Sequence, residues 1–166
     1  MENMSAFSDW IIVKTIADKH GEKYHVILHD DEFGPVFKVL IADGRIHEAV
    51  VGYANCLYEG TGILMLADIC FCDNLTLVYR RTGLFWRFKK VRRETKNFQQ
   101  RGLGSELLKC VFAYAEEKDI DRIVGKIKDL DYPKNPNLLK WYADMGFTVT
   151  MEAESSIAIA RISKEM

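Results

Sequence analysis

Two glycines, one residue apart, precede a helical stretch of this chain and offer a place to bind an anion. The segment Gln99–Ser105 reads Gln-Gln-Arg-Gly-Leu-Gly-Ser, and apolar residues recur at helical spacing from Glu106 to Lys118. Glycine lets the backbone approach a ligand without an intervening Cβ, and the first N–H groups of a helix have no acceptor within it. Together with the positive end of the helix dipole, these donors favour a phosphate or pyrophosphate. A tight turn would use the same glycines, and the segment matches neither a G-x-G-x-x-G fingerprint nor a Walker loop.

A phenol is the second group that could do chemistry. Residues Asn135–Phe147 predict a short helix, with Asn135 as the N-cap, Pro136 at the first helical position and Gly146 at the end in a left-handed conformation. One face of this helix carries Leu138, Tyr142 and Met145. The phenol of Tyr142 should therefore point inward, toward whatever the helix packs against.

These two segments together resemble the GNAT superfamily of acyl-CoA N-acyltransferases. The pattern is Q/R-x-x-G-x-G/A at Gln99–Gly104, followed about one helix and one strand later by N-x6-Y-x3-G-F at Asn135–Phe147. The match covers roughly Ile63 to Phe147. The strand-rich start and an insertion described below are also similar to members encoded by phages and prophages. The resemblance implies an α+β fold in α/β/α layers, with a mixed, mostly antiparallel sheet flanked by helices.

In function, the resemblance implies transfer of an acetyl group from acetyl-CoA, a cosubstrate, to a primary amine by direct attack, with no metal. It makes Tyr142 the general acid for the departing thiolate, since a phenol with a pKa near 10 is closely matched to a thiol. A lysine-like amine, with a pKa of about 10.4, must lose a proton before it attacks. The residues that the resemblance assigns to cofactor binding are Phe71, Gln99, Gln100, Arg101, Gly102, Leu103, Gly104, Ser105, Asn135 and Tyr142.

One acid lies in a long apolar run, Ile63–Cys72, that resembles the central strand of the family. Asp68 is the candidate general base, because a carboxylate buried in such a run is costly unless it is paired and so suggests a functional role. Asp68 could instead simply accept hydrogen bonds from the backbone or from a basic side chain. Glu48 and Glu59 are weaker alternatives, and relay through water needs no acid.

An insertion of about 25 residues, 74–98, separates that strand from the glycine segment. Thr82–Gly83 is typical of a hairpin turn, whereas Leu84–Arg93 equally suits a short amphipathic helix. From Arg80 to Arg101 there are nine Lys or Arg and one acid, a charge of +8 in a chain of net charge −1. These basic residues could bind along a nucleic acid, bind the 3′-phosphate of coenzyme A, or attract an acidic acceptor. Alternatively, the segment could be a solvated flap. The alternative function is therefore a non-catalytic acyl-CoA-binding or RNA-binding module on the same fold.

The remaining segments supply the elements that must position these groups. Predicted strands are Trp10–Ala17, Tyr24–His29, Val36–Ile41, His47–Tyr58, Ile123–Ile127 and Ile157–Ile162. No helical periodicity precedes Ile63, where many members of the family place helices that line the acceptor pocket. With 166 residues, 48% of them apolar, the chain suffices for one domain over 1–166. The absence of a long apolar run or a basic start predicts a cytoplasmic protein without a membrane span.

The four cysteines form no C-x-x-C pair and are predicted to be reduced thiols in the core. An acyl-enzyme at Cys70 is the other interpretation, although no histidine lies nearby in sequence. A metal site is not expected, because the spacing of His25, His29, Asp30 and Asp31 is irregular. Small-molecule and peptide amines both stay open as acceptors, as does the oligomeric state.

Overall fold

A computed structural model of the chain describes residues 9–43, 46, 49–79, 92–128, 135–152 and 158–166. Its strands are β1 (Ile11–Ala17), β2 (Lys23–Asp31), β3 (Gly34–Ile41), β4 (Val50–Tyr58), β5 (Ile63–Phe71), β6 (Leu75–Val78), β7 (Arg93–Lys96), β8 (Arg122–Lys128), β9 (Thr148–Met151) and β10 (Ala158–Glu165). Its helices are α1 (Leu103–Glu117) and α2 (Leu138–Asp144). The predicted strands are confirmed within a few residues at their ends.

Eight strands form one sheet in the order β1-β2-β3-β4-β5-β8-β10-β9. Neighbouring strands are antiparallel except β5 and β8, which are parallel and are connected through α1. The predicted mixed, mostly antiparallel sheet flanked by helices is confirmed. Within the described residues, no helix lies between β1 and β5, as the lack of helical periodicity there predicted.

The core lies between the sheet and the two helices. Alternate residues of the strands point into it, among them Tyr24 and Val26 of β2 and Phe37 and Val39 of β3. The predicted apolar stripe of α1 is buried against them and consists of Leu107, Leu108, Val111 and Ala115. The predicted inner face of α2 is confirmed as well, because Leu138, Tyr142 and Met145 all pack on this core.

Both helices begin at positions that differ from the sequence prediction. Helix α1 starts at Leu103, so the second glycine, Gly104, lies inside its first turn. Asn135 is not the N-cap of α2; this prediction was wrong, because the C=O of Asn135 accepts the N–H of Leu138 in a separate turn, and Asn137 precedes the helix.

The carboxyl end of α2 is a Schellman motif. The N–H of Phe147 bonds to the C=O of Tyr142, and the N–H of Gly146 bonds to the C=O of Ala143. Gly146 has a φ of 88°, so the predicted left-handed residue is confirmed.

The two parallel strands pair over only part of their length. Ile63–Leu66 of β5 pairs with Arg122–Gly125 of β8, and the pairing stops there. At the same point β5 has a bulge against β4, with Ala67 as the extra residue, and such a bulge bends its strand. A Cβ on Gly125 would lie 3.1 Å from the carbonyl oxygen of Leu66, so glycine permits the close approach at the last paired position. Beyond it the carboxyl half of β5 is left without a strand partner on the β8 side, within the described part of the chain.

The insertion packs against the domain at its base. Strands β6 and β7 pair antiparallel, which supports a hairpin, although Thr82–Gly83 and the rest of 80–91 lie outside the described residues. Leu77 of β6 is buried, and Lys96 of β7 is 2.7 Å from Glu22, which immediately precedes β2. The base of the insertion is therefore part of the fold rather than a solvated flap.

All four cysteines are free thiols, but they do not all lie in the core. Cys56 and Cys110 are buried, and burial raises the pKa of Cys56 to about 12. Cys70 is exposed, so the prediction of a core thiol is wrong there. In the described residues we find no group of three or more His, Cys, Asp or Glu that could hold a metal ion. Neither described helix combines the length and the apolar composition that crossing a membrane requires.

Candidate functional site

The segment Gln99–Ser105, called the glycine loop from here on, has an unusual backbone. Gln100 has a φ of 54° and Gly102 a φ of 84°, so two left-handed residues flank Arg101. Alternation of this kind aims successive N–H groups in one direction and creates a concave anion-binding surface. Among the described residues, no side chain caps the first turn of α1. The N–H groups at the start of the helix therefore stay available to a ligand.

An acid in the first turn of α1 is neutralised by two lysines. Glu106 is 2.6 Å from Lys109 and 3.5 Å from Lys14. Its pKa is lowered, chiefly by the hydrogen bond from Lys109, which outweighs the opposite effect of burial. The negative charge nearest the helix start thus has its own partners, which limits its repulsion of an anion bound there.

Phe71, at the end of β5, lies against the glycine loop. The side-chain amide of Gln99 donates to the C=O of Phe71 at 3.4 Å. The ring occupies space left by two glycines: a Cβ on Gly52 would be 2.3 Å from it, and a Cβ on Gly104 would be 3.7 Å from it. The structure therefore brings together Phe71, Gln99 and Gly104, three of the predicted cofactor-binding residues.

Trp141 connects the glycine loop to α2, and the sequence analysis missed it. Its indole N–H donates to the hydroxyl of Ser105 at 2.9 Å, and its ring would be 3.4 Å from a Cβ on Gly104. Its ring centroid is 4.7 Å from that of Tyr142. The signal available in the sequence was a large indole next to the predicted acid, but its partner lies 36 residues away and follows only from the fold.

Tyr142 points inward, as predicted. The residue is 6% exposed, and its ring meets that of Phe147 edge to face, with centroids 5.5 Å apart. Phe147 in turn packs on Phe112 of α1. These aromatic contacts fix the ring beside the first helix, whereas the assigned role as acid stays a prediction.

Asp68 is exposed, so the prediction of a buried carboxylate was wrong. The bulge at Ala67 and the alternation of β5 turn its side chain to the sheet face opposite Ile69 and Phe71, which pack on the core. The hydroxyl of Tyr53 donates to Asp68 at 2.9 Å, and this hydrogen bond is the main cause that raises the pKa of Tyr53 to about 12.

The two alternative bases are not supported at this site. Glu59 lies in the turn before β5, at the end of the strand opposite Phe71. Nine residues of strand span roughly 30 Å, so Glu59 is too far from the glycine loop to act there. Glu48 lies outside the described residues.

Three other predicted residues have different surroundings from those expected. The guanidinium of Arg101 is 2.9 Å from Asp18 and 2.9 Å from Glu22, so it is already paired within the protein. The side chain of Leu103 is buried in the core, so only its backbone is available to a ligand. Asn135 is exposed, and its described contact is the local turn to Leu138.

Comparisons with known proteins found similarity in structure but not in sequence. No protein-family model matches the sequence. No curated protein matches it either.

Solved structures do match. One is an acetyltransferase of the GNAT family from Staphylococcus aureus Mu50, with 15% identity, a TM-score of 0.49 and coverage of 79% of this chain and 66% of that chain. Another is an acetyltransferase from Bacillus subtilis in complex with CoA, with 12% identity, a TM-score of 0.50 and coverage of 81% of this chain and 78% of that chain. At such identities the likeness concerns architecture alone. The chain has the GNAT acyl-CoA N-acyltransferase fold.

Proposed function

We propose that this chain, as a single domain, is an N-acetyltransferase that transfers an acetyl group from acetyl-CoA to a primary amine by direct attack. The observation that carries the proposal is the glycine loop: its open N–H groups lie beside the end of β5, and Trp141 links it to the helix of Tyr142. An anion site, an opening between parallel strands and an inward phenol thus occur at one place.

The glycine loop fits a diphosphate in shape and in charge. A Cβ on Gly102 would meet no described atom within 4 Å, so the space above this glycine is open. The left-handed residues on either side of Arg101 and the positive end of α1 favour an anion in that space. We assign the backbone N–H groups of residues 100–105 to the diphosphate of coenzyme A, and the ring of Phe71 to the wall of the channel that continues toward the thioester.

When bound, acetyl-CoA supplies an activated acyl group on a thiolate leaving group. Tyr142 donates its phenolic proton to the sulfur as the carbon–sulfur bond breaks, which avoids release of a free thiolate. Burial among Trp141 and Phe147 holds the phenol in one orientation and keeps bulk water away from it. Backbone N–H groups that face the opening supply hydrogen bonds to the developing oxyanion.

The amine approaches from the other face of the sheet. Asp68 lies two residues beyond the last paired position of β5 and faces away from the core, so it borders the opening on that side. Its carboxylate takes the proton that the amine loses, directly or through water, and the hydrogen bond from Tyr53 orients it. The acceptor class is a primary amine of a small molecule or a peptide, and the proposal does not depend on which.

The test compares acetyl transfer from acetyl-CoA to a panel of primary amines between the native chain and Tyr142→Phe. We expect turnover with at least one amine, and a kcat lower by about 100- to 10,000-fold in the variant, because a positioned acid contributes on that scale. Affinity for coenzyme A should be retained, since the ring and its packing are unchanged.

Absence of turnover with every amine would contradict the proposal. If coenzyme A still bound, or if an oligonucleotide bound tightly and was released at high salt, the non-catalytic module would be the better description. An unchanged kcat in Tyr142→Phe would remove Tyr142 from the role of acid while leaving the transferase activity in place.

A further inference from the structure

Asp18 is a buried charged residue, in a part of the chain where the sequence carries no motif. It lies in the turn between β1 and β2, and its side chain has no exposed surface. Four donors surround the carboxylate: the guanidinium of Arg101 at 2.9 Å, the hydroxyl of Tyr24 at 3.1 Å, and the N–H groups of His20 and Glu22 at 2.9 and 3.0 Å. A buried carboxylate is costly unless it is paired in this way, and its charged partner belongs to the glycine loop.

Two further charged residues complete the group, here called the Asp18 cluster: Asp18, Glu22, Tyr24, Lys96 and Arg101. Glu22 is 2.9 Å from the guanidinium of Arg101 and 2.7 Å from Lys96. The two carboxylates therefore balance the two cations. The positive charge of Arg101 is used within the protein, and the insertion is tied to the same cluster through Lys96.

The backbone of Arg101 is held as firmly as its side chain. The N–H of Lys19, in the same β1–β2 turn, donates to the C=O of Arg101 at 3.1 Å. In a planar trans peptide the C=O and the following N–H point in opposite directions, so the N–H of Gly102 must point away from this turn. The guanidinium also donates through Nε to the C=O of Asn97 at 2.7 Å, which fixes the entry to the loop.

We propose that Asp18 is a positioning residue that holds the glycine loop in its anion-binding conformation by fixing Arg101. The inference rests on the proposed binding of coenzyme A and names the contact that prepares the site for it. Without the carboxylate, the guanidinium keeps only the partly exposed Glu22 as a charged partner and its bond to the C=O of Asn97, which belongs to the segment just before the loop. The loop can then leave the arrangement in which its N–H groups converge. The loss should fall on binding of the diphosphate, because the described contacts of the cluster involve neither Asp68 nor Tyr53, which border the proposed amine side.

The experiment is calorimetric titration of coenzyme A into the native chain, Asp18→Asn and Arg101→Gln. Asn keeps the shape of the side chain and the oxygen that accepts from His20 and Glu22, but it removes the charge that holds Arg101. Arg101→Gln breaks the same link from the loop side and serves if Asp18→Asn does not fold. We expect Kd for coenzyme A to rise at least about tenfold in each folded variant, since small displacements of binding groups have effects of this size. The KM for acetyl-CoA should rise more than kcat falls.

Asp30→Asn is the matched control, because it removes a carboxylate of β2 that is paired with Lys118 at 3.3 Å, at the far end of that strand. It should lower thermal stability and leave Kd unchanged. If Asp18→Asn and Arg101→Gln are folded by circular dichroism and bind coenzyme A as the native chain does, Asp18 has a purely structural role and the inference is overturned. If the native chain itself does not bind coenzyme A, the proposed function and this inference are both overturned.

Discussion

Gly102 and Gly60 have similar positive φ values but lie at different places in the fold. Their φ values are 84° and 76°, and a Cβ on either would meet no described atom within 4 Å. Gly60 lies in the β4–β5 turn, at the far end of β5, whereas Gly102 immediately precedes α1. Comparing the same substitution at both positions therefore separates the cost of strain at a left-handed residue from the loss of a ligand site.

Alanine substitutions at these two glycines should differ in binding and agree in stability. We expect Gly102→Ala and Gly60→Ala each to lower the free energy of unfolding by about 1 kcal/mol, because alanine is strained at positive φ. Only Gly102→Ala should weaken coenzyme A binding, since its methyl group would occupy the space assigned to the diphosphate. Urea denaturation and calorimetry measure the two quantities. Equal Kd values for the two variants would mean that the ligand does not approach Gly102.

At the residue scale, the limits of the sequence are clearest at Asp68 and Arg101. The apolar run around Asp68 predicted burial, but the bulge at Ala67 and the strand alternation expose the carboxylate on the opposite face. Arg101 matched the glycine pattern, yet its side chain faces Asp18, which lies 83 positions earlier. A local pattern specifies the backbone of a loop better than the partners of its side chains, because those partners come from distant parts of the chain.

At the scale of elements, the start of α1 and the start of α2 are joined by one side-chain hydrogen bond. Trp141 donates to Ser105 at 2.9 Å, and its ring lies next to both Gly104 and Tyr142. This contact makes the position of the proposed acid depend on the position of the glycine loop. Neither segment alone indicates it, whereas the helices themselves were predictable from their apolar spacing and from Gly146.

The variants Trp141→Phe and Ser105→Ala should therefore be coupled. Each removes the same hydrogen bond, and each should cost about 1 kcal/mol of unfolding free energy, the usual net value of such a bond. The double variant should cost less than the sum of the two, which a double-mutant cycle on the ligand-free protein measures. Lys140→Ala is the control on α2, because its exposed ion pair with Asp144 should contribute little. Strictly additive effects would contradict the coupling.

For the whole molecule, the Asp18 cluster connects the amino-terminal strands, the insertion and the glycine loop, and it predicts how stability depends on pH. Burial alone would raise the pKa of Asp18, but hydrogen bonds from Arg101, from two backbone N–H groups and from Tyr24 outweigh it and lower the pKa. The pKa of Glu22 is lowered chiefly by the hydrogen bond from Lys96. Both carboxylates therefore stabilise the fold fully above their ordinary values of 3.8 and 4.5, and this stabilisation is lost as pH falls below them.

Urea denaturation between pH 6 and 3 tests this dependence. The native chain should lose stability below a pH of about 4.5, because there these carboxyl groups bind protons in the unfolded chain while their lowered pKa values keep them ionised in the native chain. The double variant Asp18→Asn/Glu22→Gln should be less stable at pH 6 and should decline less steeply over the same range. Parallel curves for the two proteins would show that the cluster does not contribute in this way.

The architecture was predictable from the sequence to different depths along the chain. Alternation and turn residues gave the strands, and the glycine pattern with the N-x6-Y-x3-G-F helix indicated a fold that the structure confirms. The bulge at Ala67, the short parallel pairing of β5 with β8 and the packing of the base of the insertion were not predictable. They arise from contacts between segments that are far apart in sequence, such as Lys96 with Glu22.

A crystal structure of the protein with coenzyme A tests the central claim most directly. The account predicts diphosphate oxygens within about 3 Å of backbone nitrogens in residues 100–105, the usual hydrogen-bond distance. It also predicts the terminal sulfur beside the hydroxyl of Tyr142, with the Asp18–Arg101 contact intact. A ligand bound elsewhere, or a sulfur remote from that hydroxyl, would contradict it.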